Sequence, residues 1–309
     1  MKHDLIVIVG PTAVGKTKLS IELAKAFNGE IINGDAFQVY RGMDIGTAKI
    51  TPEEMEGIPH HLLDIVDPGD TYTVSDFQRD ARRQIQAIHQ RGKLPILVGG
   101  TGLYINAVLY KNYTFQDEPH NPAFRKELER FAAEHGSKAL YQRLLETDRH
   151  AAKSIHPNNV KRVIRAIEKA RNPSLEPEAE KVKEPLYRHL VIGLSMNRDE
   201  LYARINHRVE LMMAQGLMKE VESLAEQQLQ NSQAAQAIGY KELFPVFSGH
   251  YDQAEAVRLI KRNSRRFAKR QMTWFKHQMQ VHWFSMDQVE QTFTKKVTKI
   301  MEFVAGKMN

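Results

Sequence analysis

The chain has 309 residues, a formal net charge of +7 and no cysteine. Its length suits about two domains, and its 42% hydrophobic and 26% charged residues are ordinary for a folded protein. This composition excludes general disorder, disulfide bonds, thiolate metal sites and a cysteine nucleophile. We find no signal peptide and no apolar run near the roughly 18 residues that span a bilayer, and we therefore expect a soluble, cytoplasmic protein with no membrane partner.

The first third of the chain alternates strand-like and helix-like patterns. Three short, largely apolar runs that end at glycine are predicted strands: Leu5–Val9, Glu30–Asn33 and Leu94–Val98. Helical spacing of apolar residues predicts helices over 15–27 and 74–90, with Ser75 as the cap of the second. Such alternation predicts an α/β fold with a parallel sheet flanked by helices, and the glycine-rich segment 10–17 between the first strand and the first helix makes this predicted fold P-loop NTPase-like.

The pattern changes near residue 112. Only helices are predicted between 122 and 171, at 125–135, 139–146 and 159–170, and the proline-containing stretch 173–185 is predicted to be a mobile loop. Beyond it we predict two strands and several helices: strands 190–194 and 281–285, helices 198–215, 217–228 and 253–280, and a final helix. We therefore predict a catalytic core of residues 1–112 and 186–309, and an all-α insertion domain of residues 113–185.

Residues 10–17 form a phosphate-binding motif. The segment Gly10-Pro-Thr-Ala-Val-Gly-Lys-Thr17 matches G-x-x-x-x-G-K-[ST] and lies between a predicted strand and a predicted helix. Its glycines let backbone N–H groups converge on phosphate oxygens, Lys16 adds a positive charge, and the Thr17 hydroxyl can hold Mg²⁺. The motif predicts a diphosphate or triphosphate ligand, but not the group that is transferred.

The acidic residues near this motif differ from those of most NTPases. NTPases commonly carry a second acid for Mg²⁺ at a strand end, whereas the third predicted strand ends in Gly99-Gly-Thr101. Asp35 follows the second strand and is expected at the carboxyl edge of the sheet, where ligands bind in such folds. Asp35 is therefore a candidate general base for an acceptor group, and a turn or capping aspartate is the alternative.

Two basic segments indicate a polyanionic partner. Residues 258–277 contain eight Lys or Arg and no acid, so this segment carries +8 and the rest of the chain −1. Residues 149–171 contain seven Lys or Arg against Glu168 alone. Two basic regions in separate predicted domains favour an RNA-binding cleft, and two ordinary solvated helix faces are the alternative.

Seven motifs along the chain form a set: residues 10–17, 35–49, 57–64, 99–104, 156–168, 237–242 and 269–275. The most specific is Asp35-Ala-Phe-Gln-Val-Tyr-Arg-Gly-Met-Asp-Ile-Gly-Thr-Ala-Lys49. Together these motifs resemble the bacterial type of the tRNA dimethylallyltransferases (tRNA isopentenyltransferases), from Leu5 to about Trp283. The chain departs from the family at Ala36-Phe37, where Ser-Met or a similar pair is usual.

The resemblance implies a reaction. The family transfers a dimethylallyl group from dimethylallyl diphosphate to N6 of adenosine 37 beside the tRNA anticodon, and the phosphate loop then holds a diphosphate leaving group. That role explains the absence of the second acid. It implies Asp35 as general base towards a flipped adenosine, Mg²⁺ on Thr17 as cofactor, and Thr101 as a further hydroxyl donor. It also implies diphosphate binding by arginine in the segment 204–208, and the choice between Arg204 and Arg208 stays open.

The predicted catalytic residues are Asp35, Thr101 and Lys16. The predicted diphosphate-binding residues are Gly10, Pro11, Thr12, Ala13, Val14, Gly15, Lys16, Thr17, Arg204 and Arg208. The predicted tRNA-binding residues are Asp35, Ala36, Phe37, Gln38, Thr101, Asn159, Val160, Lys161, Arg162, Val163, Arg262, Arg265, Arg266, Lys269 and Arg270. The expected partners are the tRNA anticodon stem-loop and dimethylallyl diphosphate, and we expect a monomer.

Three other functions remain to be compared with this one. A P-loop kinase of a small metabolite would use Lys16, Thr17 and Asp35 in similar ways, but it gives the basic segments no purpose. A prenyltransferase acting on free AMP or ADP would share the donor site without needing two basic regions. A non-enzymatic RNA-binding protein has no use for Asp35 beside an intact phosphate loop.

Overall fold

The computed structural model describes residues 4–111, 113, 121–171 and 184–308. The chain forms two compact units, of which the first combines Met1–Thr114 with Glu184–Asn309 and the second is Phe115–Lys183. The domain boundaries predicted from the sequence lie close to these limits. The predicted mobile loop at 173–185 falls largely outside the described residues.

Strands and helices follow one another along the chain as predicted for an α/β fold. The strands β1 to β6 are Leu5–Val9, Gly29–Asn33, His60–His61, Leu94–Gly99, His189–Ser195 and His282–Ser285. The helices α1 to α11 are Lys16–Ala26, Val74–Gln90, Gly102–Leu109, Pro122–Thr147, Arg149–Ala152, Val160–Arg171, Arg198–Ala214, Leu217–Glu226, Tyr240–Phe247, Gln253–Gln278 and Val289–Met308.

The six strands form one parallel sheet in the order β3-β2-β4-β1-β5-β6. All five residues of β1 are fully buried, because this strand lies between two neighbours and both of its faces are covered. Leu5, Val7 and Val9 contribute to the core beneath α2, α3 and α8, while Ile6 and Ile8 contribute to the core beneath α1 and α11. The predicted parallel sheet with helices on both faces is confirmed.

Several local predictions differ from the structure. β3 was missed, because two histidines carry no strand pattern and become a strand only by pairing with β2. The cap of α2 is Thr73 and not Ser75: the Thr73 side chain accepts a hydrogen bond from the Asp76 N–H, and the Asp76 carboxylate accepts one from the Thr73 N–H. The helices predicted at 125–135 and 139–146 form α4, which is interrupted where Gly136 has a φ of 84°.

The second unit is a small helical domain with its own core. Leu128, Leu140 and Leu144 of α4 pack against the apolar face of α6. Arg125 and Glu168 form an ion pair of 2.6 Å across the same two helices. Within the described residues, no helix of the chain is long and apolar enough to cross a membrane.

Candidate active site

A cavity of about 440 Å³ opens at the carboxyl edge of the sheet. Its walls come from the segment between β1 and α1, the residues after β2 and β4, and the helices α7 and α10. Parallel strands bring their carboxyl ends to one edge, so motifs far apart in the sequence meet there. The sequence-predicted residues that line the cavity are Thr12, Ala13, Gly15, Lys16, Thr17, Asp35, Gln38, Arg204 and Arg208.

The loop between β1 and α1 contains two glycines that its backbone requires. Gly15, at the start of α1, lies in the left-handed region with a φ of 101°, which favours glycine. Gly10 admits no side chain, because a Cβ atom there would lie 2.6 Å from the Leu194 carbonyl oxygen. The free N–H groups of the first turn of α1 supply donors and a positive dipole end for an anion.

Lys16 folds back over this loop. Its Nζ donates to the carbonyl oxygens of Gly10 at 3.0 Å and Pro11 at 2.8 Å. Burial lowers the pKa of Lys16 to about 8; nearby Asp35 acts to raise this pKa, and Arg208 acts to lower it. Lys16 is therefore a cation near neutral pH that loses its charge at moderately alkaline pH.

Both candidate arginines of α7 reach the loop. Arg204 Nε donates to the Ala13 carbonyl oxygen at 3.1 Å, and Arg208 Nη1 lies 3.5 Å from the Thr12 hydroxyl oxygen. Burial lowers the pKa of Arg208, although neighbouring Asp35 acts in the opposite direction. An arginine stays charged throughout the physiological range, so two guanidinium groups border the cavity beside Lys16.

Asp35 follows β2, lines the cavity and is held by local hydrogen bonds. Its N–H donates to Asn33 Oδ1 at 3.1 Å, and its Oδ1 accepts from the Phe37 N–H at 2.9 Å. Gln38 donates from Nε2 to the carbonyl oxygens of Thr47 and Ala48, at 3.1 and 3.2 Å. Both side chains line the cavity, whereas Ala36 and Phe37 pack against the core below it.

Thr101 lies near the cavity but does not line it. It precedes α3 and lies next to Gly100, which lines the cavity, but Thr101 itself is not among the lining residues. Its backbone carbonyl accepts from the Ile105 N–H at 3.1 Å as part of the first turn of α3. Glycines 99 and 100 form that part of the wall instead.

Gln271 was not among the residues predicted for the site. This glutamine is 6% exposed and links two walls of the cavity, because its Oε1 accepts from the Thr12 N–H at 2.9 Å and its Nε2 donates to the Gly100 carbonyl oxygen at 3.0 Å. The Thr12 N–H is thus already occupied by the protein. Two features of the sequence could have indicated it: Gln271 lies in the motif 269–275, and it is a polar residue on the buried face of an amphipathic helix.

His60 of β3 and an apolar surface were also missed. The Nδ1 atom of His60 lies 2.8 Å from the Ile58 carbonyl oxygen, and burial lowers the pKa of this histidine. It lines the cavity together with four apolar side chains, of which only Leu63 lies in one of the seven motifs: Ile50, Leu63, Leu211 and Phe267. These residues come from four separate segments, and only the tertiary fold brings them together.

The basic residues of α10 that were predicted to bind tRNA differ in their exposure to solvent. Arg266, Lys269 and Arg270 are exposed, while Arg262 and Arg265 are half-buried. Arg265 Nη1 donates to Asn206 Oδ1 at 2.6 Å, and the Nε atom of Arg262 is buried. The exposed three form the part of the predicted RNA surface that is open to solvent.

The residues of the helical unit that were predicted to contact RNA also differ in their exposure to solvent. Asn159, Lys161 and Arg162 are exposed at the start of α6, and Val160 is half-buried. Val163 is fully buried in the core of the unit. Its predicted contact with tRNA is therefore corrected: the helical period turns this side chain towards α4 and away from solvent.

Comparison with known proteins places the chain in a family. The sequence model of the family "IPP transferase" matches residues 38–278. The chain is 52% identical to a tRNA dimethylallyltransferase of Geobacillus thermodenitrificans, covering 100% of this chain and 98% of the relative. It is 50% identical to the tRNA dimethylallyltransferase of Bacillus subtilis, covering 99% and 98%.

Two solved structures are similar over nearly the whole chain. The tRNA isopentenylpyrophosphate transferase of Bacillus halodurans superposes with a TM-score of 0.77 at 50% identity, covering 99% of this chain and 97% of that one. A eukaryotic dimethylallyltransferase acting on tRNA superposes with a TM-score of 0.79 at 28% identity, covering 98% and 80%. With the family model matched over most of its length and relatives about 50% identical over nearly all of it, the chain belongs to the IPP transferase family and is an enzyme of the tRNA dimethylallyltransferase type.

Proposed function

We propose that the chain transfers a dimethylallyl group from dimethylallyl diphosphate to N6 of adenosine 37 of tRNA, releasing diphosphate. The observation that carries this proposal is one cavity lined by two chemically distinct groups of side chains. Lys16, Arg204 and Arg208 contact the loop of residues 10–17, and Asp35 and Gln38 line the same cavity. A diphosphate ester held by the loop thereby faces a carboxylate that can act on an acceptor.

The donor side suits a leaving diphosphate. Lys16 and the two arginines supply three positive charges, and the first turn of α1 supplies backbone N–H donors. When Mg²⁺ is bound, the Thr17 hydroxyl and the diphosphate oxygens would hold it, and it would neutralise charge on the leaving group. Thr17 fits this part because it lines the cavity in the first turn of α1. The apolar residues of the cavity suit the hydrocarbon chain of the donor.

The acceptor side suits a weakly nucleophilic amine. The lone pair of adenine N6 is delocalised into the ring, so attack is helped when a base removes the N6 proton. In the transfer step, the bond between the allylic carbon and the diphosphate oxygen breaks, the N6–carbon bond forms, and Asp35 takes the proton. Lys16, Arg204 and Arg208 bind the charge that develops on the leaving oxygen.

The acceptor base must leave the stacked anticodon loop to enter the cavity. A base within a stacked loop cannot present its N6 to an enclosed carboxylate, so we infer that adenosine 37 is flipped into the cavity. The exposed cations of α10 and of the start of α6 are the residues that we propose to grip the RNA backbone. We also propose that the chain acts as a monomer in the cytoplasm.

The test is transfer of label from radiolabelled dimethylallyl diphosphate in the presence of Mg²⁺. The acceptors are an unmodified anticodon stem-loop with A37, the same stem-loop with G37, and free AMP. We expect label in the A37 stem-loop alone. Label in AMP would support a free-nucleotide enzyme, and phosphate transfer from ATP without prenyl transfer would support a kinase.

The general-base role is tested by Asp35→Asn, which keeps the size of the side chain and removes its basicity. We expect transfer to fall by about 10²–10⁴-fold, while the affinity for dimethylallyl diphosphate stays within about threefold because the phosphate loop is intact. Near-normal turnover by this variant would contradict the base role. Loss of donor affinity would instead assign Asp35 to the donor side.

A further inference from the structure

Behind the cavity wall, a carboxylate binds three consecutive backbone N–H groups. Glu220 of α8 accepts at Oε2 from the N–H groups of Asp44 and Ile45, at 2.9 and 2.8 Å, and at Oε1 from the N–H of Gly46 at 3.0 Å. The partners are separated by more than 170 positions in the sequence. Charge-assisted hydrogen bonds of this kind are stronger than neutral ones, so Glu220 fixes the backbone at 44–46.

Tyr240 completes this contact from α9. Its hydroxyl donates to Glu220 Oε1 at 2.5 Å, and its side chain is fully buried. Burial raises the pKa of Tyr240, and the neighbouring Glu220 carboxylate raises it further, so the hydroxyl remains a donor. The ring packs directly on Gly46, where a Cβ atom would lie 2.4 Å from the ring. Tyr240 belongs to the motif 237–242, to which the reaction itself assigns no role.

The segment fixed by Glu220 continues into the cavity wall. Thr47 and Ala48 follow Gly46 directly, and their carbonyl oxygens accept the two hydrogen bonds from Gln38 Nε2. Gln38, Thr47 and Ala48 all line the cavity on the side of Asp35. A shift of the backbone at 44–46 would therefore move the two acceptors that orient the Gln38 amide.

We infer that Glu220 and Tyr240 are positioning residues of the transfer reaction, acting through residues 44–48 on Gln38. Neither side chain lines the cavity, so their effect reaches the acceptor by way of the backbone. The inference rests on the proposed function for the identity of the reaction. It assigns the motif 237–242 to alignment of the acceptor side and not to binding of the donor.

The first test is Glu220→Gln, which keeps the shape of the side chain but replaces one oxygen by an NH₂ group that faces N–H donors. We expect kcat/KM for the anticodon stem-loop to fall at least about tenfold, with donor affinity unchanged. Tyr240→Phe should act in the same direction with a smaller effect. The matched control is Glu222→Gln on the exposed side of the same helix, with the same change of charge and expected wild-type kinetics.

A double-mutant cycle with Gln38→Ala distinguishes positioning of Gln38 by Glu220 from a merely structural role of Glu220. If Glu220 acts through Gln38, Glu220→Gln should lower kcat/KM by less than about twofold in the Gln38→Ala background, because the effects of coupled sites are not additive. Fully additive effects, or a lowered melting temperature with unchanged kcat/KM, would overturn the inference. Additivity is judged from kcat/KM at a temperature where every variant is folded.

Amide hydrogen exchange tests this inference independently of the proposed function. We expect exchange at residues 44–46 to become faster in Glu220→Gln and to stay unchanged in Glu222→Gln. Unaltered exchange at 44–46 would overturn the inference whatever the activity. A wild-type chain that transfers no dimethylallyl group, with exchange altered as expected, would refute the proposed function instead.

Discussion

At the scale of single residues, the protonation of Lys16 controls the charge of the phosphate loop. Burial lowers its pKa to about 8, so its ammonium group is present below that pH and is lost as the pH rises through it. The neutral amine offers no charge to a diphosphate. We therefore predict that affinity for dimethylallyl diphosphate falls as the pH rises from 7.5 to 9.5, measured by calorimetry without RNA.

The control for this prediction is Lys16→Met, which has no titrating group at this position. The variant should bind more weakly at pH 7 and show no decrease between pH 7.5 and 9.5 beyond the titration of the ligand itself. The ligand contributes equally to both proteins, so the difference between them isolates Lys16. A pH dependence that is identical in the two proteins would contradict the role of Lys16.

At the scale of elements, α10 has two faces with different surroundings. Its buried face carries Gln271, which joins Thr12 to Gly100 across the cavity. Its exposed face carries Arg266, Lys269 and Arg270. The same helix therefore borders the cavity and presents cations to solvent, an arrangement that the proposed function would use to bring RNA and diphosphate together.

We predict that Arg266→Gln combined with Arg270→Gln weakens binding of the stem-loop and lowers its salt dependence. Each phosphate contact that is lost reduces the slope of log affinity against log salt by roughly 0.7 to 0.9. The slope should therefore fall by about 1 to 2 units for the pair, measured by titration at several salt concentrations.

The control for this prediction is Arg258→Gln on the same helix. Arg258 is paired with Glu255 at 2.5 Å, so it is already neutralised by the protein. This variant should leave the slope nearly unchanged. An equal change of slope in the control and the test variant would indicate a general effect of net charge and not a surface on α10.

At the scale of the whole molecule, the chain divides into two compact units, and we predict that donor binding requires only the first of them. The two described cores of the first unit contain no residue of 115–183. The ends that lead to the second unit are already joined within the first, since Tyr110 forms an antiparallel bridge with Pro185 and the Lys111 N–H donates to the Glu184 carbonyl at 2.9 Å.

We predict that replacing residues 115–183 by a short glycine-serine linker yields a folded chain that still binds dimethylallyl diphosphate. Its donor affinity should stay within about threefold of wild type, because none of the described residues 121–171 lines the cavity. Transfer to the stem-loop should be lost, because the cations at the start of α6 are removed. Loss of donor binding in a folded variant would contradict the prediction.

The fold was largely predictable because its signals are local. β1 is a continuous apolar run and α1 follows a glycine-rich loop, so strand, turn and helix can each be recognised within a few residues. β3 and α9 could not be predicted in this way. β3 has two residues and exists through pairing with β2, and α9 contains Pro245, which is unfavourable within a helix.

The candidate site was predictable only in part. Lys16, Thr17 and Asp35 lie in motifs whose residues are close in sequence, and all three line the cavity. Gln271 and Glu220 act on segments more than 170 residues away, and no pattern of spacing encodes such pairs. The resemblance implied Thr101 as a further hydroxyl donor, but the residues that line the cavity at this point are the adjoining glycines 99 and 100.

The sequence by itself determined the parallel α/β fold, the phosphate loop, the acidic residue after β2 and the resemblance to a family, because each depends on neighbouring residues. Only the tertiary structure decided which cations are exposed, that both Arg204 and Arg208 reach the loop, and that Val163 is buried. It alone brought Glu220 and Tyr240 to residues 44–46. The reason is physical: hydrogen bonds and burial depend on distance in space, and the folding of a sheet with helices on both faces sets those distances.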